Sequence, residues 1–203
     1  MFVPNSFKFD NLSDQVAFMK QYSFATMITA HDNLPLATQL PFFVDDTGDT
    51  LLLKSHFAAA NEQTKYIEAN TSLVIFSEPH AYISPSHYDK TESVPTWDYI
   101  AVHVYGKVRI VDDEYTKSAM LEQMIKFYEK DYLKQWENLP EKYRKGMMKG
   151  IVAFEMEVSA IQGQKKLSQN KTSAERNRIV QQLEKSEIAV EKDLARYIRE
   201  IDT

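Results

Sequence analysis

EPHAYISPSHYDKTESVPTWDYIAVHVYG, residues 78–106, carries five large rings (Tyr82, Tyr88, Trp97, Tyr99 and Tyr105) and three of the chain's five histidines, His80, His87 and His103. Two runs of strand formers, 80–84 and 99–104, flank a polar loop that holds Pro85 and Pro95. Strand, loop, strand with rings on both sides is the pattern of a sheet wall, not of a helical bundle.

Outward from this stretch the strand signals continue. Toward the N-terminus, residues 24–30, 35–44, 50–55 and 72–76 read as strands, with His31-Asp32-Asn33 and the segment around Gly48 as turns. Pro35 and Pro41 interrupt the pairing of the second of these. Toward the C-terminus the strand begun at Tyr99 runs on to Val111. Residues 151–158 alternate, with Val152, Phe154, Met156 and Val158 on one face and Glu155 and Glu157 on the other. Helices fall around these strands. One is capped by Asn11 or Ser13 and ends near Tyr22. The alanines at 58–60 predict another over 56–70. Asp112-Asp113 starts a helix to about Tyr132, and a shorter one covers 139–148. After a polar connection at 163–170, Thr172-Ser173-Ala174-Glu175 fits a capping box. Two helices follow, to about Lys185 and over 187–201. Strands that mostly follow one another favour an antiparallel barrel over a parallel sheet. The expectation is a mainly β fold with peripheral helices: a single domain over 1–203, with 171–203 as a C-terminal helical extension.

The chain has 203 residues, 43% of them hydrophobic, and a net charge of −5. That is enough for a sizeable core, and the net charge gives no general attraction to nucleic acid. With no cysteine, disulfides, thiolate metal sites and a cysteine nucleophile are excluded. No apolar run approaches membrane-spanning length and the N-terminus lacks the apolar core of a signal peptide, so the expected location is the cytoplasm, without membrane contact.

The histidines show no metal-binding spacing, and no metal site is expected. No GxSxG, P-loop or GxGxxG is present, and no dedicated catalytic acid or base stands out. Lys54-Ser55-His56, with Asn61 a turn later, lies where a strand is predicted to pass into a helix, and such a junction suits a phosphate; the plainer reading is that Ser55 only caps the helix. Lys165 and Lys166 with Ser168, Gln169 and Asn170 form a second donor cluster, or simply a solvated linker. Tyr82, Trp97 and Tyr99 offer flat faces to a planar cofactor, although each ring alone suits a core. Basic runs at 142–149 and 165–178 read as solvated helix faces, and no helix-turn-helix is visible, so DNA contact has no supporting motif.

Taken together, PHAYISPSHY, VPTWDYIAVHVYG, GIVAFEMEV and KLSQN resemble the PaiB family of FMN-binding negative transcriptional regulators. MFVPNSF, LPLATQLPF and KSHFAAAN stand in the family's order, so the resemblance covers residues 1 to about 180. It implies an antiparallel six-stranded split β-barrel of the FMN-binding type, related to pyridoxine 5'-phosphate oxidase, with FMN at a homodimer interface. It also implies a regulatory role, with a flavin-dependent oxidoreductase of unknown substrate as the alternative. Carried onto this sequence, it places Thr38 and Gln39 at the cofactor cavity and Ser55, His56 and Asn61 near the phosphate. Tyr82, Ser84 and Trp97 would line the flavin, and Lys166, Ser168, Gln169 and Asn170 would come from the partner chain. Three positions depart from the family's pattern. Gln39 stands where His is frequent, Glu62-Gln63-Thr64 where Pro-Gln-Trp is frequent, and His87 where Trp is common. Glu62 brings a carboxylate toward the phosphate, which is repulsive. Weaker FMN affinity than the family norm, or a different ligand, is the expectation.

Overall fold

The computed structural model describes residues 1–202. Its β-structure is one seven-stranded sheet in the order β2-β1-β5-β6-β7-β4-β3. The strands are β1 (Phe24–His31), β2 (Leu34–Pro41), β3 (Phe43–Asp45), β4 (Leu52–Ala58), β5 (Thr71–Ile83), β6 (Thr96–Val111) and β7 (Ile151–Lys166). The helices are α1 (Leu12–Gln21), α2 (Glu114–Tyr128), α3 (Tyr132–Asn138), α4 (Glu141–Lys149), α5 (Ser173–Glu184) and α6 (Ala189–Arg199). The chain divides into two compact units. One comprises 1–15, 77–103 and 162–203, the other 16–76 and 104–161, and β5, β6 and β7 contribute to both.

The β1–β2 hairpin is antiparallel, pairing Phe24 with Pro41 and His31 with Leu34. Its two-residue turn places Asp32 at φ 49° and Asn33 at φ 62°. That is the left-handed region Asp and Asn tolerate best, and it matches the twist of the flanking strands. The expected single strand at 35–44 is two strands. Pro41 has no N–H for the ladder; the next amide, Phe42 N–H, still donates to Ser23 O opposite it at 2.8 Å, and Phe43–Asp45 then pairs with β4 instead of β1. The sheet has seven strands where the resemblance implies six, and the hydrogen-bonded order runs open from β2 to β3 rather than closing on itself.

The helix expected over 56–70 is absent. β4 continues through Ala58, because residues 52–58 pair one for one with β7, Leu52 opposite Glu157 and Ala58 opposite Ile151. Phe57 is fully buried and stacks on Phe154, ring centres 5.1 Å apart. Pairing and burial outweigh alanine's helix preference. A 3-10 turn at Glu62–Lys65, capped by the Asn61 side chain, is the only helical segment there. Consequently Ser55 and His56 lie within a strand, not at a helix start. The strands expected at 72–76 and 80–84 are one strand, β5. β7 extends eight residues past the expected 151–158, so the polar connection shrinks to 167–171.

Phe42, Phe57, Phe76 and Phe154 are the largest fully buried rings of the second unit. Phe42 meets Phe76 edge-on at 5.8 Å and Phe154 at 6.3 Å. In the first unit Ile83, Ile100, Val102, Leu167, Ile179 and Leu194 are buried. Gly163 is required there: a Cβ would fall on the Phe9 carbonyl oxygen. Asn11 caps α1 through its Oδ1, which accepts from Asp14 N–H at 3.0 Å. The Thr172–Glu175 capping box starts α5 as the sequence predicts.

Candidate functional site

In the second unit, Thr38 on β2 and Asn61 after β4 belong to one hydrogen-bonded chain. The Asn61 amide donates to Thr38 Oγ1 at 3.0 Å, and Thr38 Oγ1 donates to Gln63 Oε1 at 2.8 Å. Gln63 Nε2 then donates to Thr29 Oγ1 at 3.1 Å and to the Met27 carbonyl at 3.3 Å, and Thr29 pairs with the Ser72 hydroxyl at 2.8 Å. Gln63 is the hub of this chain and is only 1% exposed. The sequence reading passed over it. Its one signal is its position two residues after Asn61, whose Oδ1 accepts from the Gln63 N–H. Gln39 lies one residue along β2 with its side chain exposed, as alternation requires.

Ser55 and His56 point away from each other, as neighbours on a strand do. Ser55 is fully buried and donates to the Pro41 carbonyl at 2.7 Å. His56 is half-buried against an apolar pocket, and burial lowers its pKa, so the neutral ring is favoured. Lys54 is committed elsewhere. It donates to Asp45 at 2.8 Å and lies 3.5 Å from Glu155, both well covered. The Asp45 carboxyl is pushed up by burial but pulled further down by hydrogen bonds from Lys54 and Thr47, to about 2.

In the first unit, Tyr82 on β5 and Trp97 on β6 meet edge to face, ring centres 6.0 Å apart. They are 49% and 54% exposed. Tyr82 and Ser84 line a groove of about 510 Å³ together with His87 and residues of α5. Ser84 caps the 3-10 turn at Pro85–His87. The KLSQN segment is knitted to β6 of its own chain. Lys166 Nζ donates to the Trp97 carbonyl at 2.6 Å and to Thr96 Oγ1. Ser168 Oγ donates to Asp98 Oδ2 at 2.6 Å. Gln169 accepts from Leu167 N–H at 2.8 Å and donates to the Lys165 carbonyl, which fixes the turn, and Asn170 is exposed.

Asp98 is the second residue the sequence reading missed. It is fully buried, its Oδ1 has no partner, and burial lifts its pKa to about 6 against the pull of Ser168, Lys166 and Lys171. The signal lay in the alternation of β6, where Asp98 shares a face with Ile100, Val102 and Val104. Among the described residues, no group of three or more His, Asp or Glu could hold a metal ion, and no helix is long and apolar enough to cross a membrane.

The sequence model of a family described as "Putative FMN-binding domain" matches residues 1–160. "Protease synthase and sporulation protein PAI 2" of Bacillus subtilis (strain 168) is 36% identical over 204 residues, which span 98% of this chain and 97% of that protein. The chain belongs to the PaiB family of FMN-binding domains. Among solved structures, the FAD and heme binding protein from Mycobacterium smegmatis superposes with a TM-score of 0.62 at 9% identity, covering 78% of this chain and 73% of its own. The flavocytochrome Anf3 from Azotobacter vinelandii gives 0.61 at 13% identity, covering 76% and 67%. At such identities the likeness is one of fold.

The chemistry of this PaiB-family chain suits the family's cofactor. Tyr82 and Trp97 present flat faces to a heteroaromatic ring. Of the three departures from the family's pattern, Gln39 and Glu62 have exposed side chains. His87 is half-buried, and its carbonyl accepts from Arg178 Nε at 2.7 Å.

Proposed function

We propose that this chain binds FMN and acts as a homodimeric regulatory protein, a negative regulator of transcription in the manner of its family, built on a split β-barrel. The observation that carries the reading is the Tyr82–Trp97 pair. Two adjacent large rings, each about half exposed, form a surface that a planar cofactor covers. The flavin supplies reversible redox chemistry when bound. The chain's own residues hold it: Tyr82, Ser84 and Trp97 at the ring, Thr38 and Gln39 at the cavity, and Asn61 toward the phosphate. Lys166, Ser168, Gln169 and Asn170 are contributed by a second copy. Exposed Phe24 and Leu34 at the two ends of the β1–β2 hairpin support a dimer that covers this edge. The curated relative's name, with its protease synthase and sporulation, supports a regulatory role.

Titration of FMN into the purified protein, followed by quenching of flavin fluorescence, tests the cofactor, and sedimentation tests the dimer. No saturation at high micromolar FMN overturns the reading. A flavin-dependent oxidoreductase is the competing reading, supported by Asp98, a carboxyl whose burial raises its pKa to about 6. Steady oxidation of NADH or NADPH by the FMN-loaded protein selects it.

A further inference from the structure

A pocket of about 350 Å³ opens in the second unit between β4 and the helices α2 and α3. Pro41, Leu121, Met124 and Ile125 give it an apolar lining, with His56 and Trp136 among its walls. The size falls in the range of small-molecule sites, roughly 300–1,000 Å³. Two features separate it from a simple packing gap. Trp136 is only 8% exposed, and its indole Nε1–H is buried with no hydrogen-bond partner. His56 Nδ1 is likewise buried and unpartnered. Buried polar atoms of this kind are rare, because each forgoes its hydrogen bonds to water.

Neighbouring polar groups do not satisfy them. Tyr128 turns its hydroxyl to Ser23 Oγ at 2.8 Å and to the Phe42 carbonyl at 3.1 Å. No lysine or arginine lines the pocket, and Glu129 is its one charged residue. Arg144 packs over the Trp136 ring, its guanidinium carbon 6.0 Å from the centre. Apolar walls, an acidic residue and no cation disfavour an anion such as a flavin phosphate.

We propose that this pocket is a binding site, distinct from the flavin surface, for a small neutral aromatic molecule bearing a hydroxyl or carbonyl oxygen. The ring fills the space between Leu121, Met124 and Ile125. The oxygen accepts from Trp136 Nε1–H, and a hydroxyl on the ligand also meets His56 Nδ1. Such a ligand gives a regulatory protein a second input besides its cofactor.

The test uses 2-naphthol and its anionic analogue 2-naphthoate, titrated by calorimetry into the full-length protein. One saturable 2-naphthol site per chain is expected, with 2-naphthoate much weaker. Trp136→Phe keeps the ring and removes the donor, so 2-naphthol affinity falls about tenfold. Leu121→Trp fills the cavity and abolishes binding without changing FMN affinity, and Ile125→Trp serves if Leu121→Trp does not melt cooperatively. A readout that needs no change in the pocket is the indole N–H resonance of Trp136, assigned by its persistence in Trp97→Phe; 2-naphthol should shift it. The proposal is overturned by the absence of saturable binding up to about 1 mM. It is also overturned by an unmoved Trp136 resonance, by variants that bind as the parent does, or by competition between FMN and 2-naphthol.

Discussion

Ser168 Oγ donates to Asp98 Oδ2 at 2.6 Å, joining the KLSQN turn to a fully buried carboxyl on β6. Ser168 holds a left-handed backbone, φ 57°, which few non-glycine residues adopt. The hydrogen bond, together with those of Gln169, holds the turn in that shape.

The first prediction follows from the Asp98 pKa of about 6, raised from 3.8 mainly by burial. Between those values the folded chain holds a proton that the unfolded chain releases. Stability therefore falls as pH rises through this window, and the cost is fully present above pH 6. A shift of this size corresponds to roughly 3 kcal/mol. Asp98→Asn keeps an oxygen for Ser168 and removes the charge. Urea midpoints at pH 8 should be higher for Asp98→Asn than for the parent, with the pH 4–6 slope flattened. Ser168→Ala removes a hydrogen bond that favours the carboxylate, so its titration midpoint should move up. A parent whose stability is flat from pH 4 to 7 contradicts the assignment.

A second prediction concerns Lys54, placed between Asp45 and Glu155. Lys54→Met strips Asp45 of its cation, while Glu155 keeps Arg109 at 2.5 Å. The expected loss is about 3 kcal/mol, most of it recovered in Lys54→Met/Asp45→Asn. The pH sign is opposite to that of Asp98. Asp45 is held down at about 2, so its contribution is present above its ordinary 3.8 and is lost as pH falls toward 2. Acid unfolding of Lys54→Met should begin at higher pH than in the parent.

Local chemistry made much of this legible in the sequence. Asn11, the Asp32-Asn33 turn and the Thr172–Glu175 box each act within a few residues, and each stands where the pattern puts it. What failed needed partners far along the chain. Ala58–Ala60 favour a helix in isolation, and only pairing with residues 151–157 keeps β4 extended through Ala58. Gly163 lets β7 run on because Phe9, more than 150 residues away, packs on it. On the candidate site, the segments were readable as segments. The roles of Gln63 and Asp98 were not, since a polar residue declares itself only once its burial is known.

Gln63 gives the third prediction. Gln63→Leu keeps most of the volume but leaves Thr29 and Thr38 each short of a partner in a covered place. The expected loss is about 1–3 kcal/mol in urea unfolding. Because Thr38 and Gln63 share one bond, the losses in Thr38→Val and Gln63→Leu should not add in the double variant. Full additivity means that the two side chains act independently in solution.

The fourth prediction bears on the flavin surface. Tyr82 and Trp97 already touch each other, so neither needs a ligand to be ordered, yet each leaves about half its surface open. If FMN lies against them, Tyr82→Ala and Trp97→Ala should each raise its Kd about tenfold, the weight of one aromatic contact. Tyr82→Phe keeps the flat face and should change Kd by less than about threefold. Glu62→Gln removes a carboxylate next to Asn61 and should tighten binding if the phosphate sits there. Flavin fluorescence titrations on the four variants, each with a melting curve to verify folding, measure this. Alanine variants that fold and bind FMN as the parent does would move the flavin away from Tyr82 and Trp97.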